Sequence, residues 1–347
     1  MRIAHILWSF TPGGIETMLV DIANEQVKEH QVAIIVVNDV IDERLVSKLD
    51  ERVNFFSVGR CPGSRSLFPI IRMNIHLWKY YPEIIHCHDD GLVKLIIGRI
   101  CPMVRTIHNT HSSPKDFSKF RRLCCISSAV MNYTANQGFP NSVIVYNGIH
   151  TEIISKRSLP FPLKGKMCKC VCVGRLNPMK GQKVLIEAFN ILVNQRHLTN
   201  LSLDLIGDGL SKEELTAMTT QYGLESYIRF LGRQPREMFY PKLKDYDLFI
   251  LPSVSEGFGL TLAEACAAKI PVITCDLEGP MEVIANGRYG RSFKAGDANA
   301  LANVLVNHIE EGTNVEQVEE AYNYVRTHFD VTVTAQRYVD IYKEVIN

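Results

Sequence analysis

The sequence predicts an α/β chain of two Rossmann-like domains facing one another across a cleft. Three observations carry this. Strand-like and helix-like runs alternate along all 347 residues, the pattern of parallel sheets wrapped by helices. A chain of that length exceeds what one core spans, so two domains are expected. The alternation also restarts after residues 155–166, where Pro160 and Pro162 stand among Lys156, Arg157, Lys164 and Lys166, so this stretch reads as a linker. The expected division is 1–160 and 161–330, with 331–347 packing back on the first domain as a last helix.

In the first series the apolar runs at 3–7, 32–37, 53–58, 84–88, 104–108, 123–127 and 143–146 read as strands. The first of these ends in Pro12-Gly13-Gly14-Ile15-Glu16 and opens a helix over 17–27. Gly14 allows the backbone to approach a ligand closely. Glu16 falls in the first helical turn, where an acid suits the dipole. The second series places strands at 168–173, 201–206, 228–231, 248–251 and 271–275, and a helix-like stretch at 333–346 closes the chain. Two such halves facing one another place a ligand between their strand carboxyl ends.

Composition narrows the class. Hydrophobic content is 46%, as in soluble globular proteins, and no apolar run reaches the roughly 18 residues of a membrane span. Residues 1–7 lead straight into a strand without an apolar leader and cleavage site. Ten cysteines without framework spacing suggest a reducing, cytoplasmic compartment. Cys168, Cys170 and Cys172 alternate along a strand and read as packing, as do Cys124 and Cys125. Basic charge concentrates in the first half. Residues 52–82 carry Arg52, Arg60, Arg65, Arg72 and Lys79 and no acid, and residues 91–151 set seven basic side chains against Asp116 alone. No nucleic-acid module is recognisable. An anionic lipid surface or a phosphorylated acceptor suits this charge, and so does a plain solvated basic face. Phe68, Trp78, Tyr80, Tyr81 and Phe120 are interspersed with it, which suggests peripheral attachment to the inner face of a membrane.

The segment richest in chemistry is Ser255-Glu256-Gly257-Phe258-Gly259-Leu260-Thr261-Leu262-Ala263-Glu264. It joins a buried strand to an Ala-rich helix. A strand-to-helix turn with two glycines favours a phosphate through its backbone N–H groups and the helix dipole. Glu256 and Glu264 stand eight positions apart. On one continuous helix they would be roughly 80° apart; with Glu256 in the loop, both carboxylates can face one cleft and accept hydrogen bonds from vicinal hydroxyls. A dipole-compensating Glu beside an ordinary turn is the plainer alternative.

Gly174-Arg175-Leu176-Asn177-Pro178-Met179-Lys180-Gly181 follows the first strand of the second series. Arg175 and Lys180 can converge on one diphosphate, offsetting its charge without a metal; two surface cations on a loop would look the same in sequence. His108 ends the strand at 104–108, and His86 and His88 end the strand before it. Metal binding by these imidazoles is disfavoured, because no carboxylate or Cys pair shows ligand spacing with them. Three patterns are set aside. Asp245-Tyr246-Asp247 has D-x-D form but lies at a strand start, the wrong end for a ligand. Asp89-Asp90 has no further ligand pattern. Gly207-Asp208-Gly209 has Lys212 where a dinucleotide fingerprint needs glycine.

In order along the chain, Gly13-Gly14-Ile15-Glu16, the strand ending at His108, Cys125-Ile126-Ser127, Tyr146-Asn147-Gly148-Ile149, Gly174-Arg175-Leu176 with Lys180-Gly181, Leu205-Ile206-Gly207-Asp208-Gly209, the E-x7-E from Glu256 to Glu264, and Gly279-Pro280-Met281-Glu282 resemble the retaining, two-Rossmann-domain (GT-B) glycosyltransferases of family four. The resemblance implies roles by position. Arg175 and Lys180 look like the diphosphate clamp, Glu264 like the ribose acceptor, and Glu256 like the contact to donor-sugar hydroxyls. Phe258, Gly259 and Leu260 would line sugar and phosphate by backbone, Gly14 would pass close to the phosphates, and Arg233 would lie near the nucleobase. His108 looks like the residue near the donor sugar and its developing positive charge.

The implied donor is a nucleoside-diphosphate sugar, UDP- or GDP-linked. The implied acceptor is a glycan or a lipid-linked molecule, in surface polysaccharide or glycolipid synthesis, and no cofactor or metal is expected beyond the donor. Two other functions fit the architecture: a nucleotide-sugar epimerase, which would turn over without an acceptor, and a non-catalytic nucleotide-sugar-binding partner of a transferase.

Overall fold

The computed structural model describes residues 1–98, 101–158, 160–162 and 164–347. It divides into two compact units. The first comprises Met1–Ile149 with Phe329–Asn347, and the second His150–His328.

The first unit is built on one parallel sheet. Its strands are β1 (Arg2–Leu7), β2 (Gln31–Asn38), β3 (Asn54–Arg60), β4 (Ile84–Cys87), β5 (Met103–Ile107), β6 (Arg122–Cys125) and β7 (Val143–Ile144), in the order β3-β2-β1-β4-β5-β6-β7. Ile3 stands opposite Val32 on one side and Ile84 on the other. Residues Ile3 to Leu7 are fully buried, as a strand covered on both faces requires. Two of the helices that flank it are α1 (Gly14–Gln26) and α2 (Phe68–Tyr80). The C-terminal helix, Val331–Ile346, presents Val331, Ala335, Tyr338 and Tyr342 at helical spacing. This stripe packs on Ile3, Ile84, Val104 and Cys124 from the middle of the sheet. Its approach is close: a Cβ on Gly148 would lie 2.7 Å from the Val331 Cα, and Thr334 Oγ1 donates to the Tyr146 carbonyl at 3.0 Å. Any side chain at 148 would push the helix off the sheet.

The second unit repeats the plan with six parallel strands: β8 (Cys168–Val173), β9 (Leu201–Ile206), β10 (Ile228–Gly232), β11 (Leu248–Leu251), β12 (Val272–Cys275) and β13 (Arg291–Phe293). Their order is β10-β9-β8-β11-β12-β13. Cys168, Cys170 and Cys172 share the face that packs into the core with Leu185, Phe189 and Leu203. The helices used below are α3 (Gln182–Asn190), α4 (Arg236–Leu243) and α5 (Leu260–Ala267).

The structure differs from the sequence expectation at particular places. The strands expected to reach residues 88, 108 and 127 stop earlier, leaving His88, His108 and Ser127 just beyond the ladder. Ser127 leaves its strand to cap the next helix, accepting from the Val130 N–H at 3.3 Å. The three-residue edge strand β13 was too short to carry a period. The division between units falls between Ile149 and His150, not near residue 160. The described residues of 155–166 are irregular, but Arg157 staples them to the second unit by donating to the carbonyls of Lys244 and Tyr246 and to the carboxylate of Asp247. Leu159 and Leu163, within the same stretch, lie outside the described residues.

Candidate functional site

In an open parallel sheet the crevice for a ligand opens where the strand order reverses, beyond the strand carboxyl ends. In the second unit the reversal lies between β8 and β11. The loops that leave these strands are 174–181 and 252–259, so topology alone brings Arg175 and Lys180 to the same edge as Glu256 and Gly259.

The two loops are clamped together. The N–H groups of Val254 and Ser255 both donate to the Met179 carbonyl, at 2.9 and 3.2 Å. Asn177 caps the short turn Pro178–Lys180 by accepting from the Lys180 N–H at 3.1 Å. Lys180 Nζ then meets Glu256 Oε2 at 2.5 Å, and Ser253 donates to the same oxygen at 3.3 Å. Arg175 is exposed, with no ion-pair partner among the described residues; its carbonyl accepts from Gln182 at 3.1 Å. A resident carboxylate therefore holds one cation in place while the other faces solvent.

Gly181 makes this arrangement possible. Its φ is +67°, and a Cβ there would lie 1.9 Å from the Pro252 carbonyl oxygen. Gly181→Ala should therefore cost more than the roughly 1–2 kcal/mol of left-handed strain alone, because the two loops must also separate. A lower melting temperature together with weakened nucleoside-diphosphate binding is the expected result. A variant with native affinity would show that loop closure is not what positions Lys180.

Gly259 is the N-cap of α5, whose first N–H groups lie at the same strand end. Phe258 is fully buried, so its ring belongs to the core and only its backbone is available to a ligand. Leu260 is the first residue of α5. Glu264 is buried one turn further on. It accepts from the Tyr240 hydroxyl at 2.6 Å and lies 3.5 Å from the Arg236 guanidinium. Both partners come from α4, one turn apart, and sequence reading did not single them out. The usable signal was their i, i+4 spacing just after Arg233. Arg233 itself is exposed in the loop between β10 and α4.

The D-x-D segment has structural partners. Asp247 is buried against Arg157 at 2.8 Å and accepts from the Lys169 N–H at 2.9 Å, while the Tyr246 hydroxyl donates to Asp204.

In the first unit the sheet reverses between β1 and β4. Gly14 begins α1 at that end and is exposed, and Glu16 lies in the first turn. Asp89 accepts from the Trp8 N–H at 2.9 Å, and Asp90 accepts from the Ser113 N–H at 2.8 Å and pairs with Arg105. These carboxylates organise the loops. His108 follows β5. Its Nε2 is buried without a hydrogen-bond partner among the described residues, and its ring stacks on His88 at 5.8 Å. Burial, helped by the nearby Arg105 charge, depresses its pKa to about 3. His108 is therefore a neutral imidazole near pH 7.

His5, His86 and His88 form a buried cluster whose ligand atoms lie within 4.8 Å of one another. Most of their nitrogens are engaged. His5 meets Gln26 at 2.8 Å and His88 at 3.0 Å, and His86 meets the Tyr342 hydroxyl at 2.6 Å and Thr106 at 2.7 Å. Among the described residues only His88 Nδ1 has no partner, and the other five ring nitrogens are taken up by hydrogen bonds. The ten cysteines are all unpaired. Burial pushes Cys87, Cys172 and Cys266 up to about 12, so these are packing thiols, not nucleophiles.

Two units with open parallel sheets of this order define the architecture of GT-B glycosyltransferases. Family models match nearly end to end: Glycosyltransferase Family 4 over residues 12–153 and Glycosyl transferases group 1 over residues 157–327. The chain belongs to the family-four glycosyltransferases. Among its relatives, a D-inositol 3-phosphate glycosyltransferase of Corynebacterium glutamicum (strain R) is 30% identical over 55% of this chain, although the match spans only 46% of that relative. A phosphatidyl-myo-inositol mannosyltransferase of Mycobacterium leprae (strain TN) is 24% identical over 76% of this chain and 74% of its own length. Among solved structures, Anabaena Alr3699/HepE in complex with UDP and glucose superposes with a TM-score of 0.81 at 20% identity, covering 99% of this chain and 100% of that one.

Proposed function

We propose that this glycosyltransferase moves a sugar from a UDP- or GDP-linked donor to a glycan or lipid-linked acceptor, with retention of anomeric configuration and without a metal, in surface polysaccharide or glycolipid synthesis. The observation that carries the reading is the Lys180–Glu256 pair, set beside the exposed Arg175 at the switch point of the second unit. A diphosphate entering there exchanges Glu256 for phosphate oxygens on Lys180. That exchange releases the Glu256 carboxylate to accept hydrogen bonds from sugar hydroxyls. Arg175 adds a planar fork and the α5 N-terminus a set of N–H donors, so charge building on the leaving diphosphate is offset by protein groups. Glu264, pre-positioned by Tyr240 and Arg236, is assigned to the ribose, Arg233 to the base and Gly14 to the phosphates. His108 is assigned to the sugar side. A neutral imidazole there presents a lone pair to developing positive charge. In a front-face step the bond between the sugar and the diphosphate loosens, the leaving diphosphate oxygen takes the acceptor proton, and the acceptor oxygen bonds to the anomeric carbon on the face the diphosphate vacates.

The names of the relatives favour acceptors of the inositol-phosphate and lipid classes, and the Anabaena complex favours UDP. The test is incubation with a panel of nucleotide sugars in the presence of a chelator. Slow release of free sugar and nucleoside diphosphate from one donor is the expected outcome. Turnover lost on chelation and restored by manganese or magnesium would refute the metal-free reading. Conversion of the donor to an isomeric nucleotide sugar, without release, would replace the transferase by an epimerase.

A further inference from the structure

Helix α2 (Phe68–Tyr80) shows two apolar faces, and only one is used by the protein. Met73 and Leu77 are buried against the sheet with Ile35, Val58 and Ile85. On another face Phe68, Ile71, Ile75 and Trp78 follow one another at three- and four-residue spacing, and they are 73, 49, 46 and 72% exposed. At 100° per residue these four lie within an arc of roughly 80°. Leu67, just before the helix, is 69% exposed. Ile97 is 63% exposed and is tied to the helix through its N–H, which donates to Asn74 Oδ1 at 2.7 Å. A contiguous stripe of this kind is costly in water and marks an interaction surface.

The charge around it identifies the partner. Arg72 and Lys79 border the stripe on one side, and Arg65 precedes it. All three are exposed, with no salt-bridge partner among the described residues. Residues 52–82 contain no acid to answer them. An apolar stripe carrying Trp and Phe, edged by free cations, is what lies in the headgroup boundary of an anionic bilayer. A second copy of the chain fits poorly. A two-fold contact through this face would bring its cations toward their own symmetry mates with no counter-charge.

We infer that the outer face of α2, through Phe68, Ile71, Ile75 and Trp78 with Arg72 and Lys79, is the surface by which this enzyme lies on an anionic lipid bilayer. The inference deepens the proposed lipid-linked acceptor and rests on that reading. Insertion is shallow and reversible: the stripe enters the interface, the cations meet headgroups, and salt weakens the attachment.

The experiment is sedimentation of the full chain with vesicles of phosphatidylcholine alone and of phosphatidylcholine with phosphatidylglycerol, together with Trp emission. Native protein is expected to bind the anionic vesicles with a blue shift and to ignore the neutral ones. Ile71→Ser and Trp78→Ser should each weaken binding about tenfold, and Arg72→Gln and Lys79→Gln about fivefold each. The replaced side chains are exposed, so all four variants should keep native melting and native donor hydrolysis in lipid-free buffer. Vesicle binding unchanged in the Ile71→Ser/Trp78→Ser double variant would overturn the inference. So would a lipid-free dimer that this variant dissolves. Native protein that hydrolyses a donor yet ignores anionic vesicles sinks the lipid face and leaves the transferase reading standing. Native protein that binds vesicles through this face but hydrolyses no donor does the reverse.

Discussion

Replacing Arg175 and Lys180 together by alanine is expected to remove measurable nucleoside-diphosphate binding and, with it, donor turnover. Each cation forms a charge-assisted contact in the proposed complex, and loss of one such contact costs about 1.5–3 kcal/mol, roughly tenfold or more in affinity. The two changes should not be equivalent. Arg175 is exposed and has no ion-pair partner among the described residues, so Arg175→Ala removes an attraction and nothing else. Lys180→Ala also leaves Glu256 without its 2.5 Å partner. That carboxylate would then repel the incoming diphosphate, so Lys180→Ala should be the more damaging single change. Adding Glu256→Gln to Lys180→Ala should recover part of the diphosphate affinity, although not the turnover, because the amide no longer offers a carboxylate to sugar hydroxyls. Calorimetric titration of the four variants beside the native protein measures this directly. Native affinity in both single variants would remove the clamp from these residues.

The architecture was legible because both sheets are parallel and buried. Such strands read as short apolar runs, and runs like Leu248–Leu251 stand out against polar turns. What sequence patterning could not fix was where each strand ends. The residue that leaves the ladder is chosen by a partner from elsewhere: a capping bond for Ser127, and for His108 the point where β6 stops, since Ile107 pairs with Cys125, the last residue of that strand. The unit boundary was hidden for a similar reason. Residues 155–166 have the composition of a linker, yet Arg157 finds two carbonyls and a carboxylate far along the chain.

At the site, the positions of Arg175, Lys180, Glu256 and Gly259 at one strand edge follow from motif order and Rossmann topology. Their present partners do not. Nothing in the spacing reveals that Lys180 rests on Glu256, or that Glu264 is held by Tyr240 and Arg236 from a helix some twenty residues upstream. Asn147-Gly148 illustrates the opposite case. It belongs to the ordered set of motifs, but its visible work is structural, since it lets the C-terminal helix approach the sheet. The apolar stripe of α2 was equally hidden. In sequence, Phe68, Met73, Leu77 and Trp78 are all merely apolar, and only the helix's seat on the sheet separates the buried two from the exposed two.

The first unit is expected to lose stability between pH 7 and pH 5. Its sheet encloses four imidazoles held in the neutral form. Burial lowers His5 to about 4, and for His86 and His88 burial and the neighbouring rings depress the pKa well below the ordinary value. His108 is lowered to about 3. The groups facing them are neutral apart from Arg105: Gln26 on α1, Thr106 on β5, and Tyr342 on the C-terminal helix. Among the described residues, no carboxylate acts on these four imidazoles. The sign follows from proton counting. Between the unfolded pKa near 6.5 and the folded values, the unfolded chain binds protons that the folded chain refuses, so stability falls as pH falls. For His5 the loss from pH 7 to pH 5 is about 2 kcal/mol. His108, lowered further, loses about as much, and His86 and His88 add in the same direction. The second unit holds one comparable group, His308, lowered to about 4. The first unit should therefore melt first as the solution is acidified. Both tryptophans of the chain, Trp8 and Trp78, lie in it. Trp emission thus reports the first unit, while amide exchange in β8 and β11 reports the second. The Trp-detected midpoint should drop by several degrees by pH 5 while β8 and β11 stay protected, and His5→Gln should flatten the slope. A Trp midpoint indifferent to pH in this window would show that the imidazoles are not held neutral by the fold; parallel loss of both signals would show that the two units unfold together.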